Sequence, residues 1–536
     1  MLPKTEKHRV ATQTRVPPLL PSLATRHSLL ATKSFGITSF ADPHPLSPLL
    51  AHLCKKHRGE GRCHGQIFFH RTSLFLFKRC LVLVSILLAS LSGFAQDQGE
   101  KRHASLILIS IDGLKPEYLL EADAHNLKIP NLRRFVREGA YATGVHGVIP
   151  TVTYPSHTTI LTGVAPAEHG IYANTTFDPL RKNYGGWYWY AEDIKVPTLW
   201  DAASAAHLTT ANVHWPVSVS ARITWNLPQY WRTGTPDDRK LLRVLATPDL
   251  LDTLEKDLGL YADGMNEDIE GDENRTKFAA RLLELKHPDF ATIYLTALDT
   301  EEHASGPFSP QSLSTLERID AALGGILAAA QRVYNGHAVA VVVSDHGFVP
   351  INKVLHLSVA FRNAGLIEVE DTAASAAMTT DAPPKTQIKS WKAIPWLSGG
   401  SAAIVLHDKK DGLTKAKVAL LLAKLAADPA NGIDRVVPAD ELHARGGFPQ
   451  ADFLVALRPG FVHGDNLTGG LVTPSTIKGS HGFWPDLPDM NSVFFVLGPG
   501  IPSSRSLGQI DMLQIAPTLA KILAVPLPSA KAKPVL

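Results

Sequence analysis

Five short segments of this chain carry side chains that could bind metal ions or attack an electrophile. They are 109–113 (ISIDG), 151–155 (TVTYP), 299–303 (DTEEH), 344–347 (SDHG) and 479–482 (GSHG). The side chains concerned are three carboxylates, three imidazoles and one hydroxyl: Asp112, Thr153, Asp299, His303, Asp345, His346 and His481. Carboxylate and imidazole both suit zinc, and a metal can turn a hydroxyl into a nucleophile. The set is enough to hold two divalent metal ions around a nucleophile.

Each segment alone has an ordinary structural explanation. Asp112 and Asp345 lie in turn-like sequences, because Asp near Gly is common in turns. The spacing of Asp299 and His303 occurs often by chance, and a loop histidine such as His481 is usually a solvated side chain. The metal interpretation therefore depends on all of these residues occurring together.

Thr153 has two competing interpretations. Pro155 could open a helix that runs to about Thr162, which makes Thr153 a candidate N-cap, the ordinary role of a hydroxyl there. The N-terminus of a helix also favours a phosphate. The same position would therefore suit a nucleophile that attacks phosphorus.

Three of the acidic residues follow apolar runs that are typical of buried strands. The runs are 105–111, 291–298 and 338–344, with a fourth strand predicted at 492–497 and helices predicted at 130–138, 312–332 and 511–524. Strands alternating with helices predict an α/β fold with a mostly parallel central sheet and helices on both faces. Ligands of such sheets bind beyond the carboxyl ends of the strands. Asp112, Asp299 and Asp345 should therefore meet at one edge.

Length and charge fit one large catalytic domain over 96–536. The ranges 175–278 and 373–464 break the strand–helix alternation and are predicted to be insertions that cap or flank the sheet. Residues 1–95 carry 13 Lys+Arg against 3 Asp+Glu, which leaves a net charge of −7 on the other 441 residues. That balance predicts no nucleic-acid-binding groove and no nucleic-acid polymer as a partner.

The first 95 residues are typical of a processed segment. A basic start at 77–79 and an apolar stretch at 80–94 predict a signal peptide over 71–95, cleaved after Ala95. The apolar stretch is about 15 residues, short of the roughly 20 that cross a membrane, so no stable span is expected. An uncleaved anchor is the less favoured alternative. Residues 1–70 are predicted to be a disordered extension or a mis-assigned start. All three cysteines precede Ala95, which is consistent with export to a periplasm or outside the cell.

In their order along the chain, the five segments resemble the nucleotide pyrophosphatase/phosphodiesterase branch of the alkaline phosphatase superfamily. The resemblance runs from about 106 to 524 and includes the stretch HGFWPDLPDMNSVFFVLGPG at 481–500. It implies an alkaline phosphatase-like fold and two divalent metal ions, expected to be Zn²⁺. The expected ligands of one ion are Asp112, Asp345 and His346 with Thr153, and those of the other are Asp299, His303 and His481.

The resemblance also implies a reaction. Thr153 matches the threonine nucleophile of that family, and Asn174, in the sequence HGIYAN, matches the asparagine that hydrogen-bonds a phosphoryl oxygen. The expected activity is hydrolysis of a phosphodiester or pyrophosphate bond in a small nucleotide-type substrate through a phospho-threonine intermediate. Tyr154 and Tyr294 either bracket a slot for a nucleobase or are packing residues.

Three other functions are weighed against this one. A phosphomonoesterase on the same scaffold would need additional positive side chains, and the Lys and Arg pair of related monoesterases is not recognisable. A sulfatase would need a Cys or Ser in a C/S-x-P-x-R motif, which 153–156 does not supply. A secreted, non-catalytic nucleotide-binding protein would not need all seven competent side chains. The sequence does not indicate an oligomeric state.

Overall fold

The computed structural model describes residues 103–183, 186–262, 264, 266–371 and 386–536. The signal peptide and the extension predicted within 1–95 lie outside the described residues. The strands are, in chain order, β1 (Ser105–Ile111), β2 (Ala140–Tyr141), β3 (Gly144–His146), β4 (Thr210–Val213), β5 (Trp225–Leu227), β6 (Phe290–Leu295), β7 (Ala338–Val343), β8 (Val349–Leu355), β9 (Ile367–Asp371), β10 (Thr386–Trp391), β11 (Ala393–Ser398), β12 (Ser401–Leu406), β13 (Ile433–Pro438), β14 (Phe453–Leu457), β15 (Gly460–His463), β16 (Val472–Pro474), β17 (Gly479–Ser480), β18 (Phe494–Leu497), β19 (Arg505–Ser506) and β20 (Gln509–Asp511).

The helices are, in chain order, α1 (Glu117–Leu120), α2 (Pro130–Glu138), α3 (Thr153–Thr162), α4 (Pro166–His169), α5 (Leu199–Ala205), α6 (Asp237–Leu245), α7 (Leu250–Leu258), α8 (Ile269–Lys286), α9 (Ala297–Ser305), α10 (Pro310–Tyr334), α11 (Leu357–Asn363), α12 (Gly412–Ala426), α13 (Ala439–Ala444) and α14 (Ile515–Ile522). Single 3₁₀ turns are found at Ala191–Asp193, Pro429–Asn431, Pro488–Met490 and Met512–Gln514. Among the described residues, no helix is both long and apolar enough to span a membrane.

The central sheet has eight strands in the order β19-β2-β18-β7-β1-β6-β4-β5. β1 pairs in parallel with β6 and β7, and β4 pairs in parallel with β5 and β6. Only β18 runs antiparallel to its neighbours, β7 and β2. The prediction of a mostly parallel central sheet is confirmed.

Both faces of this sheet are covered, as the continuous apolar sequence of β1 requires. Ile107, Ile109 and Ile111 point into one core, which contains residues of α2, α8 and α10. Leu106 and Leu108 point into the other, which contains residues of α3, α5 and α14. Helices on two faces leave the carboxyl ends of the strands as the open edge of the sheet.

A second, antiparallel sheet lies within 373–464. Its order is β11-β12-β14-β13, and Val418 and Leu422 of α12 contribute to a core with residues of β11, β12 and β14. The range 175–278 differs from the expected flanking insertion, because β4 and β5 join the central sheet. These strands have only four and three residues, too short for an apolar period to reveal them.

One predicted strand is shorter than its sequence indicates. The apolar run 291–298 forms β6 only as far as Leu295, and α9 begins at Ala297. The Asp272 carboxylate accepts hydrogen bonds from the backbone N–H groups of Thr296 (3.1 Å) and Ala297 (2.8 Å). These bonds satisfy N–H groups at the start of a helix that lack partners of their own. Asp299 and His303 therefore lie one turn apart on a helix.

Candidate active site

Asp112, Asp345 and His346 form the first group of candidate ligands, which we name the strand-end group. They follow the adjacent strands β1 and β7 and are almost fully buried, with side-chain exposures of 0–4%. His346 Nε2 lies 3.1 Å from Asp345 Oδ2 and 3.4 Å from Asp112 Oδ1. The His346 Nδ1–H can donate to the carbonyl of Gly347 at 3.2 Å, which leaves the Nε2 lone pair for a metal.

Asp299, His303 and His481 form the second group, which we name the rim group because it is more exposed. Its side chains are 10–30% exposed. Asp299 lies at the centre, with Oδ2 3.5 Å from His303 Nε2 and Oδ1 3.6 Å from His481 Nε2. His303 Nδ1 donates to the carbonyl of Gly479 at 3.0 Å, so its Nε2 faces Asp299.

The two groups meet at His346. Ligand atoms within 4.8 Å of one another define one cluster of Asp112, Asp345 and His346, and another of Asp299, His346 and His481. The His346 and His481 rings stack with centroids 3.7 Å apart. His303, which the resemblance assigns to the second ion, approaches through Asp299 rather than joining the tighter cluster. The structure thus brings all six predicted ligands together, with His346 between the two groups.

The donor set passes a test of fit for divalent ions. Asp112 Oδ1, Asp299 Oδ1 and Asp345 Oδ2 are buried oxygens without a hydrogen-bond partner among the described residues. A buried carboxylate oxygen without a partner is costly. One such oxygen from each of three carboxylates, beside imidazole nitrogens, is the chemistry that a divalent cation satisfies.

The pKa shifts of these side chains in the metal-free protein also favour divalent ions at this site. Burial, together with the charges of Asp345 and Asp299, raises the pKa of Asp112 well above its usual value. Burial raises the pKa of Asp299 to about 6 and also raises that of Asp345. The pKa values of His346 and His481 are lowered, first by burial and then by neighbouring histidines. Crowded carboxyl groups and neutral imidazoles gain most from a cation placed among them.

Thr153 is the first residue of α3, and Val152 occupies the N-cap position without a side-chain capping bond. The Thr153 hydroxyl therefore does not cap the helix. Its Oγ1 lies 3.5 Å from His346 Nε2, beside the strand-end group. Asn174 Oδ1 accepts a hydrogen bond from the backbone N–H of Tyr154 at 2.9 Å. This bond fixes the Asn174 amide next to Thr153.

The two tyrosines considered for a base slot are both buried. Tyr154 donates from its hydroxyl to Gln229 at 2.8 Å, and its ring packs against Trp187 and Trp189. Tyr294 donates from its hydroxyl to Asp112 Oδ2, so the other oxygen of Asp112 faces His346. This geometry favours packing and ligand support over an open slot between the two rings.

Two glycines are required by the close approach of backbone around the ligands. Gly113 has a φ of +72°, and a Cβ there would lie 2.8 Å from Glu302 Oε2. Gly482 has a φ of +82°, and a Cβ there would lie 2.1 Å from the carbonyl oxygen of Ser398. Only glycine tolerates both the positive φ and the contact.

Comparison with known protein families shows which family this chain is related to. A family model described as type I phosphodiesterase / nucleotide pyrophosphatase matches residues 106–484. The chain belongs to this family. The resemblance inferred from the five segments is thus confirmed, and the family match includes all seven residues from Asp112 to His481.

Individual relatives of the type I phosphodiesterase family are distant. A venom phosphodiesterase of Naja atra is 27% identical over 260 residues, which cover 46% of this chain and 26% of that protein. A bis(5′-adenosyl)-triphosphatase of Pongo abelii is 24% identical over 270 residues, 50% of this chain and 52% of that protein. The chain therefore matches about half or less of the length of these curated relatives.

A solved structure supports the fold of this family member. Human ectonucleotide pyrophosphatase/phosphodiesterase 5 superposes with a TM-score of 0.55 at 18% identity. The superposition covers 79% of this chain and 95% of the human one. The α/β architecture predicted from the alternating strands and helices is confirmed by this likeness.

The sequence reasoning missed a buried histidine of the site. His157 lies one turn after Thr153 in α3, and its Nδ1 is 2.8 Å from the Thr153 carbonyl and 3.6 Å from Asp345 Oδ2. Its Nε2 is 2.8 Å from Ser110 Oγ. The i,i+4 spacing from the candidate nucleophile is the one sequence signal that could have identified it.

A buried ion pair supports the rim group and was also missed. Arg275 Nη1 donates to Asp272 Oδ1 at 3.0 Å, and both side chains are fully buried. Asp272 in turn binds the first turn of α9, which carries Asp299 and His303. The sequence shows only two charged residues three apart in a helix, which are usually solvent-exposed.

Proposed function

We propose that this protein is a metal-dependent hydrolase of phosphodiester or pyrophosphate bonds in small nucleotide-type substrates. The position of the Thr153 hydroxyl carries the proposal. It lies free of capping bonds at the N-terminus of a buried helix, 3.5 Å from His346 Nε2. Carboxylates and imidazoles able to hold cations surround it, and an amide stands beside it.

Two divalent ions, which we propose to be Zn²⁺, would supply Lewis-acid polarisation of the phosphate and lower the pKa of a hydroxyl or water. Asp112, Asp345 and His346, with Thr153, would hold one ion. Asp299, His303 and His481 would hold the other. The unpartnered carboxylate oxygens described above support this assignment.

The chain's own groups position the substrate for two displacements. Thr153 Oγ forms a bond to phosphorus as the bond from phosphorus to the departing oxygen breaks, with proton exchange to solvent. A water oxygen then bonds to phosphorus, the bond to Oγ breaks, and the threonine hydroxyl is restored. The Asn174 side-chain N–H₂ would hydrogen-bond a phosphoryl oxygen, because its Oδ1 is already occupied by the N–H of Tyr154.

The charge around the site favours diesters over monoesters. Among the described residues, no hydrogen bond or ion pair joins a Lys or Arg to Thr153, Asn174 or the six candidate ligands. A dianionic monoester gains more from an extra cation than a monoanionic diester does. We therefore propose the phosphodiesterase rather than the phosphomonoesterase.

The direct test compares kcat/KM for bis-p-nitrophenyl phosphate and p-nitrophenyl phosphate, with the purified, zinc-loaded protein and its Thr153→Ala variant. We expect the diester to be preferred and its turnover to fall at least about 10³-fold in the variant, because the nucleophile is lost. Preference for the monoester would assign the protein to the phosphomonoesterases. Nucleotide binding without turnover would make it a non-catalytic binding protein.

Export is part of the same proposal. The sequence of 71–95 supports a cleaved signal peptide and a periplasmic or extracellular enzyme. Cell fractionation with N-terminal sequencing of the mature protein tests this, and a mature chain that begins at Gln96 is the expected result.

A further inference from the structure

A cavity of about 330 Å³ begins at Thr175, the residue after Asn174, and no step of the proposed reaction uses it. One wall is the segment 175–181, and the other is 394–397 of β11, with Asp465 at the edge. The cavity therefore lies where the two ranges predicted to be insertions meet.

Both walls connect along the chain to the site. The first follows Asn174 directly along the chain. The second continues through Ser398 to Gly400, whose backbone N–H donates to the carbonyl of His481 at 2.8 Å. A substituent on a phosphate held between Asn174 and His481 would thus extend toward this space.

The cavity lining offers aromatic surface. The rings of Phe177 and Trp396 lie with centroids 5.2 Å apart. Trp396 is only 6% exposed, so it is held firmly in this wall. Rigid aromatic side chains of this kind give a ligand a large apolar contact surface.

The charges at the cavity disfavour an anionic ligand. Arg181 is the only cation among the described lining residues, and its Nη2 donates to the Asp465 carbonyl at 2.6 Å while Nη1 lies 3.7 Å from Asp465 Oδ2. The Asp178 carboxylate accepts from the backbone N–H of Asn183 at 2.6 Å and has no cationic partner in the described structure. The hydroxyls of Thr175 and Thr176 add neutral polar groups.

We propose that this cavity is a subsite for an uncharged, hydroxyl-bearing substituent of the substrate, of which a sugar ring is the type. Aromatic side chains pack against the C–H surface of such a ring, while carboxylate and threonine groups bind its hydroxyls. A few fixed polar groups beside apolar surface are what orient a small ligand. The inference rests on the proposed function, because it concerns one substituent of the same phosphodiester.

The test uses p-nitrophenyl diesters that differ only in their second substituent. The probes are the diesters of glucose 1-phosphate, of glucuronate 1-phosphate and of methyl phosphate, with p-nitrophenyl phosphorylcholine as a cationic probe. We expect kcat/KM for the glucose diester to exceed that for the methyl diester about tenfold, since a site built to bind hydroxyls discriminates against their absence. The glucuronate diester should be the poorer of the two sugar probes, because it keeps the ring but its carboxylate meets Asp178.

Two variants connect the preference to the cavity. Leu397→Trp fills the space, and the ratio of kcat/KM for the glucose diester to the methyl diester should fall toward one. Asp178→Asn should reduce the difference in kcat/KM between the glucose and glucuronate diesters. Leu420→Trp is the matched control, because Leu420 is an exposed residue of α12 in the same insertion, and its ratios should equal those of the wild type.

The outcomes separate this inference from the proposed function. If no diester is hydrolysed, the proposed function fails and the subsite fails with it. If the methyl diester is hydrolysed in a Thr153-dependent manner but glucose brings no preference, only the subsite is overturned. Preference for phosphorylcholine over glucose, or equal ratios in Leu397→Trp and Leu420→Trp, would also overturn it.

Discussion

The strand-end group and the rim group use the same ligand chemistry in different surroundings. Asp112, Asp345 and His346 are 0–4% exposed and follow neighbouring strands of the sheet, whereas the rim side chains are 10–30% exposed and stand on a helix and a loop. Buried ligands on strands are held by the core itself. Ligands on α9 and on the loop after β17 depend on local supports, such as Asp272 and the carbonyl of Gly479.

The difference indicates a division of roles. The rigid strand-end group lies beside Thr153 and would hold the nucleophile, which must keep one position through the reaction. The partly exposed rim group lies nearer to solvent, from which the second nucleophile, water, must arrive. The predictions below test whether the two groups differ in this way.

The largest effect should come from Asp345→Asn in the strand-end group. Asparagine can still accept from the backbone N–H of Gly113, as Asp345 Oδ1 does at 3.2 Å, so the fold should persist. The loss of one negative ligand should reduce kcat/KM for a diester at least about 10³-fold, because several kcal/mol of charge stabilisation disappear.

Steady-state kinetics and bound-metal analysis check this prediction. Asp434→Asn, at a partly exposed aspartate of β13 that pairs with Arg435, is the control and should leave activity unchanged. If the Asp345→Asn variant keeps more than about a tenth of the wild-type activity, the strand-end group is not essential to the reaction.

Chemical rescue should distinguish the groups most sharply. His303→Gly and His346→Gly should each lose about 100-fold in activity. Added imidazole should restore much of the activity of His303→Gly, because His303 is 30% exposed, and none of that of His346→Gly, which is fully buried. Activity measured across an imidazole series, with wild type as the control, checks this. Equal rescue of both variants would contradict the contrast in burial.

Metal affinity should rise with pH over the acid range. The pKa of Asp299 is raised to about 6, and those of Asp112 and Asp345 are also raised. These carboxyls hold protons in the bare protein below their raised pKa values and must release them to a metal. Apparent affinity for Zn²⁺ should therefore increase about tenfold per pH unit for each proton displaced, up to those pKa values.

Titration calorimetry in two buffers of different ionisation enthalpy measures the protons released. The imidazoles of His346 and His481 should add few protons to this release, since burial lowers their pKa values. Release should be greater at pH 5.5 than at pH 8. An affinity that does not change between these pH values would mean that the carboxyls are already ionised.

The smallest effect should come from Tyr294→Phe. The variant removes the hydroxyl that donates to Asp112 Oδ2 but keeps the buried ring. Metal affinity should fall by no more than about tenfold, the lower range for a group that holds a ligand in place. Equilibrium dialysis checks this, with Tyr334→Phe as the control, because its hydroxyl bonds to Pro288, before the start of β6 and so at the opposite end of that strand from Asp299. A loss as large as that of Asp345→Asn would mean that Tyr294 does more than orient one carboxylate.

The sequence predicted the strands of the site better than its helices and loops. β1 follows the apolar run 105–111 residue for residue, because a strand buried on both faces needs an unbroken apolar sequence. The apolar run 291–298 predicts a strand that extends three residues beyond the observed end of β6 at Leu295. The strand ends early because Asp272, distant in the chain, binds the first N–H groups of α9. Long-range hydrogen bonds of this kind leave no local pattern to detect.

What the sequence by itself determined was the chemistry: seven competent side chains, their order, and three acids after apolar runs. Tertiary structure decided which of these side chains contact one another. It placed His346 between the two groups, His157 against Asp345, and Tyr294 where its hydroxyl orients Asp112. The last two contacts join residues more than a hundred positions apart. Their geometry follows from how helices and strands pack rather than from any local spacing.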